Sequence, residues 1–598
     1  MSHSPTPVAA PISKSPSWLR DLLYLTLILS LWFGLFLGVR PLSNPDEGRY
    51  TEIPREMAAT GDYVTPRLDG VKYFEKPPLL YWLSALTIKT TGVHEWSARL
   101  WFAIFAVIGG LATYAAARAL YGRAAGWWAS IVLSTTLLYY VLSRTAILDL
   151  PVAVSIGGAL FAFLLGVREP PGARRRWLFW TFYAAMALAV LSKGLIGFLL
   201  PCTVAFVWLL VFNQWKHLRP CHPFTGALIL LAIAAPWHIL ASLANHSPVK
   251  EHDFAWFYFV HEHYLRFTTN THSRVAPWHF FIPVIIGGLI PWVAFAWQAL
   301  RKNLRGACSW KTRAERAHAD VWFLVTWIVV ITLFFSASHS KLIPYILPVF
   351  PAFAVLIGRY LAIAQESKGF RIGLRVAALI AIALAAAFII YPAVQPAKIA
   401  VLDITPAWLT GWQIFLGIIL GGGGILVAAL TTMRRERAAL ATLIATFAIF
   451  MLSANFIAGP FDARSTRTVS LALRDHLAAN PGADAEIYSI GDYFQDVPVY
   501  ANRLVNVVDS IGELEFGIKA EPDKTAARFI KAAEFSQRWQ NTNQRAYAIV
   551  QKRDVERYFA TLPHTTLAEN ARYLLLVNAH QQIPNPEIPN PKKIPNPK

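Results

Sequence analysis

Apolar runs about as long as a membrane-crossing helix recur along this 598-residue chain, and they constrain its fold more than any other feature. Leu22 to Val39, Val321 to Phe335 and Leu374 to Ile390 are examples. A helix needs roughly 20 apolar residues to cross about 30 Å of hydrocarbon, and it satisfies its own backbone there. Thirteen runs predict spans at 22–40, 98–119, 126–143, 150–166, 177–191, 195–212, 223–241, 279–300, 321–337, 343–363, 374–394, 408–431 and 438–458. The expected class is a polytopic α-helical membrane protein. Overall, 55% of residues are hydrophobic, against about 45–50% apolar in a soluble domain.

The net charge of +20 could point to nucleic acid, but its placement argues otherwise. Arg174 to Arg176, Arg301 to Arg316 and Arg434 to Arg437 sit in short segments between apolar runs. Loops rich in Lys and Arg stay cytoplasmic. Lys216 with Arg219, and Lys368 with Arg371 and Arg375, fall on the same side once the N-terminus, 1–21, is placed in the cytoplasm. No nucleic-acid partner is expected. The first run lacks a clear cleavage site and reads as an uncleaved span. Cys202, Cys221 and Cys308 imply no disulfide framework.

With this parity the membrane domain covers 22–459, and three long segments face the opposite, periplasmic side: 41–97, 242–278 and everything after Pro460. Short turns at 143–151, 192–194 and 336–341 join them. Residues 460–580 change composition and read as a small periplasmic α/β domain. Strands are expected at 485–490, 498–508 and 545–551, and helices at 462–479 and 525–540. The segment 581–598 carries Ile-Pro-Asn-Pro three times. Proline at that density predicts a disordered tail.

Charged side chains cluster in these outer segments. The first loop holds Asn44-Pro45-Asp46-Glu47-Gly48-Arg49-Tyr50 and Tyr73-Phe74-Glu75-Lys76-Pro77-Pro78. A solvated loop is the plain alternative, but the flanking prolines fix the backbone beside Asp46, Glu75 and Lys76. Asp149 starts a span, where a negative charge also simply suits the helix dipole. His261-Glu262-His263-Tyr264-Leu265-Arg266 lies in the second loop, followed by His272 and Arg274. Two histidines at i and i+2 make a weak metal site alone; an acid from another loop, such as Glu75, would complete one. Lys341, near Tyr345, either faces the same compartment or snorkels to the interface. Several acids and fixed cations on one side suit transfer between phosphate-bearing lipids. Arg forks and Lys ammoniums bind phosphate oxygens, and an acid orients or deprotonates an acceptor.

The order NPDEGRY, YFEKPPLLYW, LDLP, HYLRF and SKLIPYILP resembles the bacterial 4-amino-4-deoxy-L-arabinose lipid A transferases. These are membrane glycosyltransferases of GT-C type, related to the protein O-mannosyltransferases. The segment Tyr493 to Gly517 resembles the C-terminal domain of that family in particular. The resemblance implies a pentosyltransferase with about 13 transmembrane helices in the bacterial inner membrane, N-terminus cytoplasmic and C-terminus periplasmic. It implies an undecaprenyl-phosphate-linked sugar donor, a lipid A phosphate acceptor and, as consequence, resistance to cationic peptides such as polymyxin. By the same resemblance, Asp46, Lys76 and Asp149 match catalytic positions. Arg49, Tyr73, Glu75, Arg266, Lys341 and Tyr345 match substrate-binding positions. A divalent ion, zinc, would sit between Glu75 and either His261 or His263. No nucleotide cofactor is implied, and a monomer is expected.

From the residues alone, the role of Asp46 stays open. A phosphate monoester has a second pKa near 6 and is already a nucleophile at neutral pH. Asp46 then either acts as a base or organises the sugar and its cations. Two other readings remain: a relative using another polyprenyl-phosphate sugar or a hydroxyl acceptor, and a secondary transporter. Transporters show internal repeats and midplane charges; here no repeat is evident and the charges lie at one surface.

Overall fold

The computed structural model describes residues 16–268, 276–305, 315–394, 406–458, 464–480, 485–541 and 545–578. The expected tail at 581–598, Cys308, His272 and Arg274 lie outside them. Each of the thirteen apolar runs coincides with a helix or a bent helix pair. Among the described residues, eight helices are long and apolar enough to cross a membrane, or up to ten if each bent pair counts as one span. The thirteen runs thus fall on helical elements, but the described residues do not establish the expected thirteen transmembrane helices.

The first helix, Pro16–Gly34, shows how sequence assigns faces. Leu25, Leu29 and Phe33 are buried while Leu23, Leu27 and Leu31 are exposed. Spacing of four residues puts each trio on one helical stripe, one against protein and one toward lipid. The helix Asp149–Arg168 is buried nearly all round and forms the centre, whereas Pro223–Ala244 is peripheral.

Two expected spans are broken. Arg123–Ser134 and Leu137–Ser143 bend by 65°, and Phe281–Gly288 and Val293–Leu304 by 102°. Pro291, with no N–H, cannot continue the helical ladder in the second pair. The breaks meet and satisfy each other: Leu137 N–H donates to the Ile290 carbonyl at 3.0 Å, and Trp292 Nε1 donates to Thr135 Oγ1 at 2.9 Å. Irregular backbone at such a depth is tolerated only where partners are supplied.

On one face sits a polar lobe. The first loop forms the helix Asp46–Thr60, the two-residue strands β1 (Arg67–Leu68) and β2 (Val71–Lys72), and the helix Leu79–Thr91. The C-terminal domain holds β3 (Glu486–Ile490), β4 (Asn506–Val508), β5 (Phe529–Ile530), β6 (Ala546–Gln551), β7 (His564–Glu569) and β8 (Tyr573–Asn578). They form one sheet in the order β5-β4-β3-β6-β8-β7. β3, β4, β5 and β6 run parallel, and β8 pairs antiparallel with β6 and β7. The expected strand at 498–508 is reduced to its last three residues; Pro498, in the first turn, favours a helix over Val497–Ala501 instead. The expected helix at 525–540 starts later, at Ala532, because Phe529–Ile530 joins the sheet edge.

This domain is pinned to the first loop. Asp496 accepts from Thr466 N–H and Oγ1, both at 2.7 Å, and from Ser465 Oγ at 3.0 Å. Asn44 Oδ1 in turn accepts the Asp496 N–H at 2.9 Å. Arg528 pairs with Asp69 at 2.6 Å, and Arg67 with Glu521 at 2.8 Å. The contact is close: a Cβ on Gly517 would lie 2.3 Å from the Lys72 carbonyl oxygen.

Candidate active site

Three groups of the expected residues come together under the C-terminal domain. The first is built on the opening turn of the helix Asp46–Thr60. Asp46 and Arg49, at i and i+3, share a face, and Arg49 Nη2 bonds Asp46 Oδ1 at 2.5 Å. Arg49 Nη1 donates to the Tyr73 hydroxyl at 2.9 Å and also to Glu513. The Tyr73 hydroxyl donates in turn to Glu513, 3.3 Å away, and Gln495 Nε2 holds the other Glu513 oxygen at 2.7 Å. Asp46 keeps 47% of its side chain exposed, so a ligand can reach it. Its neighbour Glu47 is the opposite. It is buried and bonded to Arg99 at 2.7 Å, Arg40 at 2.9 Å and the Ala146 N–H at 3.0 Å. Burial would raise the Glu47 carboxyl, but Arg99 and Arg40 outweigh that and hold it at about 2.

The second group joins the first loop to the second. Lys76 follows β2, ahead of Pro77 and Pro78, and Glu262 and Arg266 come from a π-helical segment, Trp256–Leu265, and the turn after it. Lys76 Nζ stands 3.4 Å from Glu262 and 3.8 Å from Glu75. Arg266 Nη1 stands 2.6 Å from Glu262 and 3.6 Å from Glu75. Burial, with Arg266 nearby, lowers the Lys76 ammonium to about 8 despite Glu262 and Glu75. Burial pushes Glu262 up, yet Lys76, His261 and Arg266 together hold it well below the usual carboxylate range. A π-helical turn is rare and is frequent at functional sites.

The third group is Asp149, Lys193 and Tyr345. Asp149, at the head of the central helix, pairs with Lys193. The Lys193 ammonium lies 4.5 Å over the Tyr345 ring. A cavity of about 460 Å³ is lined by Arg49, Glu75, His261, Glu262, Arg266 and Glu513. A smaller one of about 110 Å³ shares Glu75, Glu262 and Arg266 and adds Lys76, Lys193 and Tyr345. Residues of all three groups thus border two adjacent cavities that share Glu75, Glu262 and Arg266 as walls.

Lys341 is not among their walls. Its ammonium donates to the Ser338 carbonyl at 2.5 Å, within its own loop. Of the two histidines expected beside Glu75, His263 does not fit a metal, whereas His261 lines the same cavity as Glu75 with its Nδ1 3.3 Å from Glu262. His263 donates Nδ1–H to the Tyr258 carbonyl at 2.6 Å and accepts the Leu195 N–H on Nε2 at 3.1 Å, so neither nitrogen is available. Burial lowers it to about 4, which keeps it neutral. Glu75 faces Lys76 and Arg266, two cations that oppose a third. Among the described residues, no group of three His, Cys, Asp or Glu is placed to hold a metal ion.

Three site residues escape a reading of the sequence. Glu262 stands between two histidines, and nothing in that spacing marks it as the partner of Lys76. Lys193 falls in an expected three-residue turn, where its position beside the central helix has no local signal. Glu513 lies 464 residues from Arg49, and only the docked domain brings it in.

Comparison with known proteins gives this geometry a context. Residues 23–246 match the model for dolichyl-phosphate-mannose-protein mannosyltransferases, and 473–578 the aminoarabinose transferase C-terminal domain. The undecaprenyl phosphate-alpha-4-amino-4-deoxy-L-arabinose arabinosyl transferase 2 of Sodalis glossinidius is 31% identical over 339 residues, 56% of this chain and 59% of its own length. The chain thus matches about three-fifths of that relative. The transferase of that kind from Edwardsiella ictaluri is 27% identical over 86% of this chain and 89% of its own. The crystal structure of ArnT from Cupriavidus metallidurans bound to undecaprenyl phosphate superposes with a TM-score of 0.75, at 27% identity, covering 95% of this chain and 99% of that one. Family models over two parts of the chain, a relative over most of its length and a superposition over nearly all of it agree in likening the chain to the aminoarabinose transferases among membrane glycosyltransferases.

Proposed function

We propose that this protein transfers 4-amino-4-deoxy-L-arabinose from undecaprenyl phosphate to a phosphate of lipid A, on the periplasmic side of the bacterial inner membrane. The observation that carries this reading is the cation set Lys76, Arg266 and Lys193 around one polar cavity, beside the pair of buried Arg49 and exposed Asp46. The donor is a phosphodiester with one negative charge and the acceptor a monoester with two. Attack by an acceptor oxygen on the anomeric carbon breaks the bond to the donor phosphate, which leaves as the monoester with the electron pair. Total charge is conserved and no proton need move.

The transition state gathers negative charge. Two unit charges at 4 Å repel by about 4 kcal/mol at an effective dielectric of 20. Lys76 and Arg266 hold the donor phosphate and stabilise it as it leaves, exchanging their hold on Glu262 and Glu75 for phosphate oxygens. Arg49 shields the approach of the acceptor. Asp46, bonded to Arg49, orients that guanidinium and binds the sugar; an ionised acceptor leaves it no proton to take. No step uses a metal. All the named side chains come from one chain, so the reading needs no second copy.

The test is reconstitution: purified protein, undecaprenyl-phosphate aminoarabinose and lipid A in mixed micelles. Sugar should appear on lipid A and undecaprenyl phosphate should be released in equal amount. Release without a glycosylated lipid A would contradict the proposed acceptor.

A further inference from the structure

A second cavity, of about 470 Å³, lies on the far side of the Arg49–Glu513 pair, between the first loop and the C-terminal domain. Arg49 and Glu513 line both large cavities, so this ion pair forms their common partition. Nothing in the transfer chemistry above uses the far side, yet its walls are not inert. Arg572 gives Nε and Nη2 to one Gln551 oxygen, at 3.1 and 3.0 Å, and its Nη1 makes no hydrogen bond among the described residues. The Arg464 guanidinium lines the same space and forms no ion pair with a carboxylate among the described residues. Arg49 Nε, at the partition, is buried with no hydrogen-bond partner. Three guanidiniums with unused donors thus border one space. Phe494 and Tyr573, ring centroids 5.0 Å apart, supply an apolar wall, and Gln495, Gln551 and Asp492 supply polar contacts.

Guanidinium forks fit phosphate oxygens, and aromatic faces with amides fit a sugar ring and its hydroxyls. Placement agrees. The donor-phosphate cations Lys76 and Arg266 lie on the near side, and an in-line displacement needs its nucleophile to enter from the other. We propose that this second cavity is the subsite for the acceptor's phosphorylated saccharide head group, with Arg572 and Arg464 as its phosphate-binding side chains. The proposal rests on the transfer reading and deepens it. The C-terminal domain then holds the acceptor while the membrane helices hold the donor. Arg49, between the two phosphates, offsets their repulsion from both sides.

The experiment uses full-length protein in detergent. With lipid A as acceptor, Arg572→Gln and Arg464→Gln should each raise the acceptor KM by about tenfold, the worth of a lost charge-assisted hydrogen bond. The donor KM should stay at the wild-type value. An unchanged acceptor KM in both folded variants, with wild-type turnover intact, overturns the subsite and leaves the transfer reading standing. Wild-type protein that glycosylates nothing overturns the transfer reading itself. A second measurement needs no variant. Phenylglyoxal labelling of Arg464 and Arg572, read by peptide mass spectrometry, should be slowed by the deacylated, phosphorylated glucosamine disaccharide and not by the unphosphorylated one. Equal protection by inorganic phosphate would reduce the cavity to an unspecific anion site and defeat the proposal. Protection by lipid A alone, with none from the soluble head group, would place recognition in the acyl chains and defeat it equally.

Discussion

Asp46 and Glu47 are neighbours in sequence with opposite roles. Asp46 was legible as a site residue from its place beside a membrane span and a proline. Nothing local showed that Glu47 would turn inward to Arg99, because that partner is 52 residues away. Removing one partner of a buried ion pair costs about 3–5 kcal/mol. Glu47→Gln should therefore lower the thermal unfolding midpoint of the purified protein markedly, whereas Asp46→Asn should leave it near wild type and lose transfer. Equal midpoints for both variants would contradict the division. Lys76 titrates at about 8, and only its ammonium form attracts phosphate. The donor KM should rise as pH increases through 8, and this rise should vanish in Lys76→Ala, whose turnover is already low. A flat donor KM between pH 7 and 9 in the wild type would remove Lys76 from the phosphate site. Arg266→Lys keeps a charge but loses the planar fork that meets both Glu262 and Glu75. It should insert at normal levels and lose most activity, checked by membrane immunoblot alongside transfer.

At the scale of elements, hydrophobic periodicity located the helices well and their breaks poorly. A run of apolar residues has the same composition whether the helix is straight or bent by 102°, and the bend depends on partners such as Thr135 that another segment supplies. The C-terminal sheet was half legible. Its parallel strands follow apolar runs, but β5 has only two residues, and Pro498 turned an expected strand into a helix. Docking of this domain was invisible in sequence, since it rests on close backbone approach. Gly517 meets the Lys72 carbonyl, while Gly158 has open space around its Cβ position. Gly517→Ala should loosen the domain, seen as faster hydrogen exchange at β2 and Glu515–Ala520, and should weaken transfer; Gly158→Ala should change neither. Unaltered exchange in Gly517→Ala would show that the seam tolerates a side chain and that docking does not depend on this contact.

Across the whole molecule, one face collects the outer loops and the C-terminal domain, and the site lies between them. The basic loops predict a periplasmic C-terminal domain: a reporter active only in the periplasm, fused after Val577, should be active. Cytoplasmic activity there would put the site on the wrong side for lipid A. The family resemblance was legible from the order of short motifs, most of which supply residues to one of two adjacent cavities. The transporter alternative has no support in the fold, where charges gather at one surface. What sequence could not supply was the seam, with Glu513, Lys193 and the second cavity, since each depends on segments hundreds of residues apart or on packing beside the central helix. The most direct measurement is the mass of lipid A extracted from cells that lack their own transferase but make the donor and express this protein. The expected result is lipid A heavier by one or more aminopentose units, with the addition absent from cells expressing Lys76→Ala at equal membrane levels. Lipid A of unchanged mass in cells with well-expressed wild-type protein would contradict the proposed function.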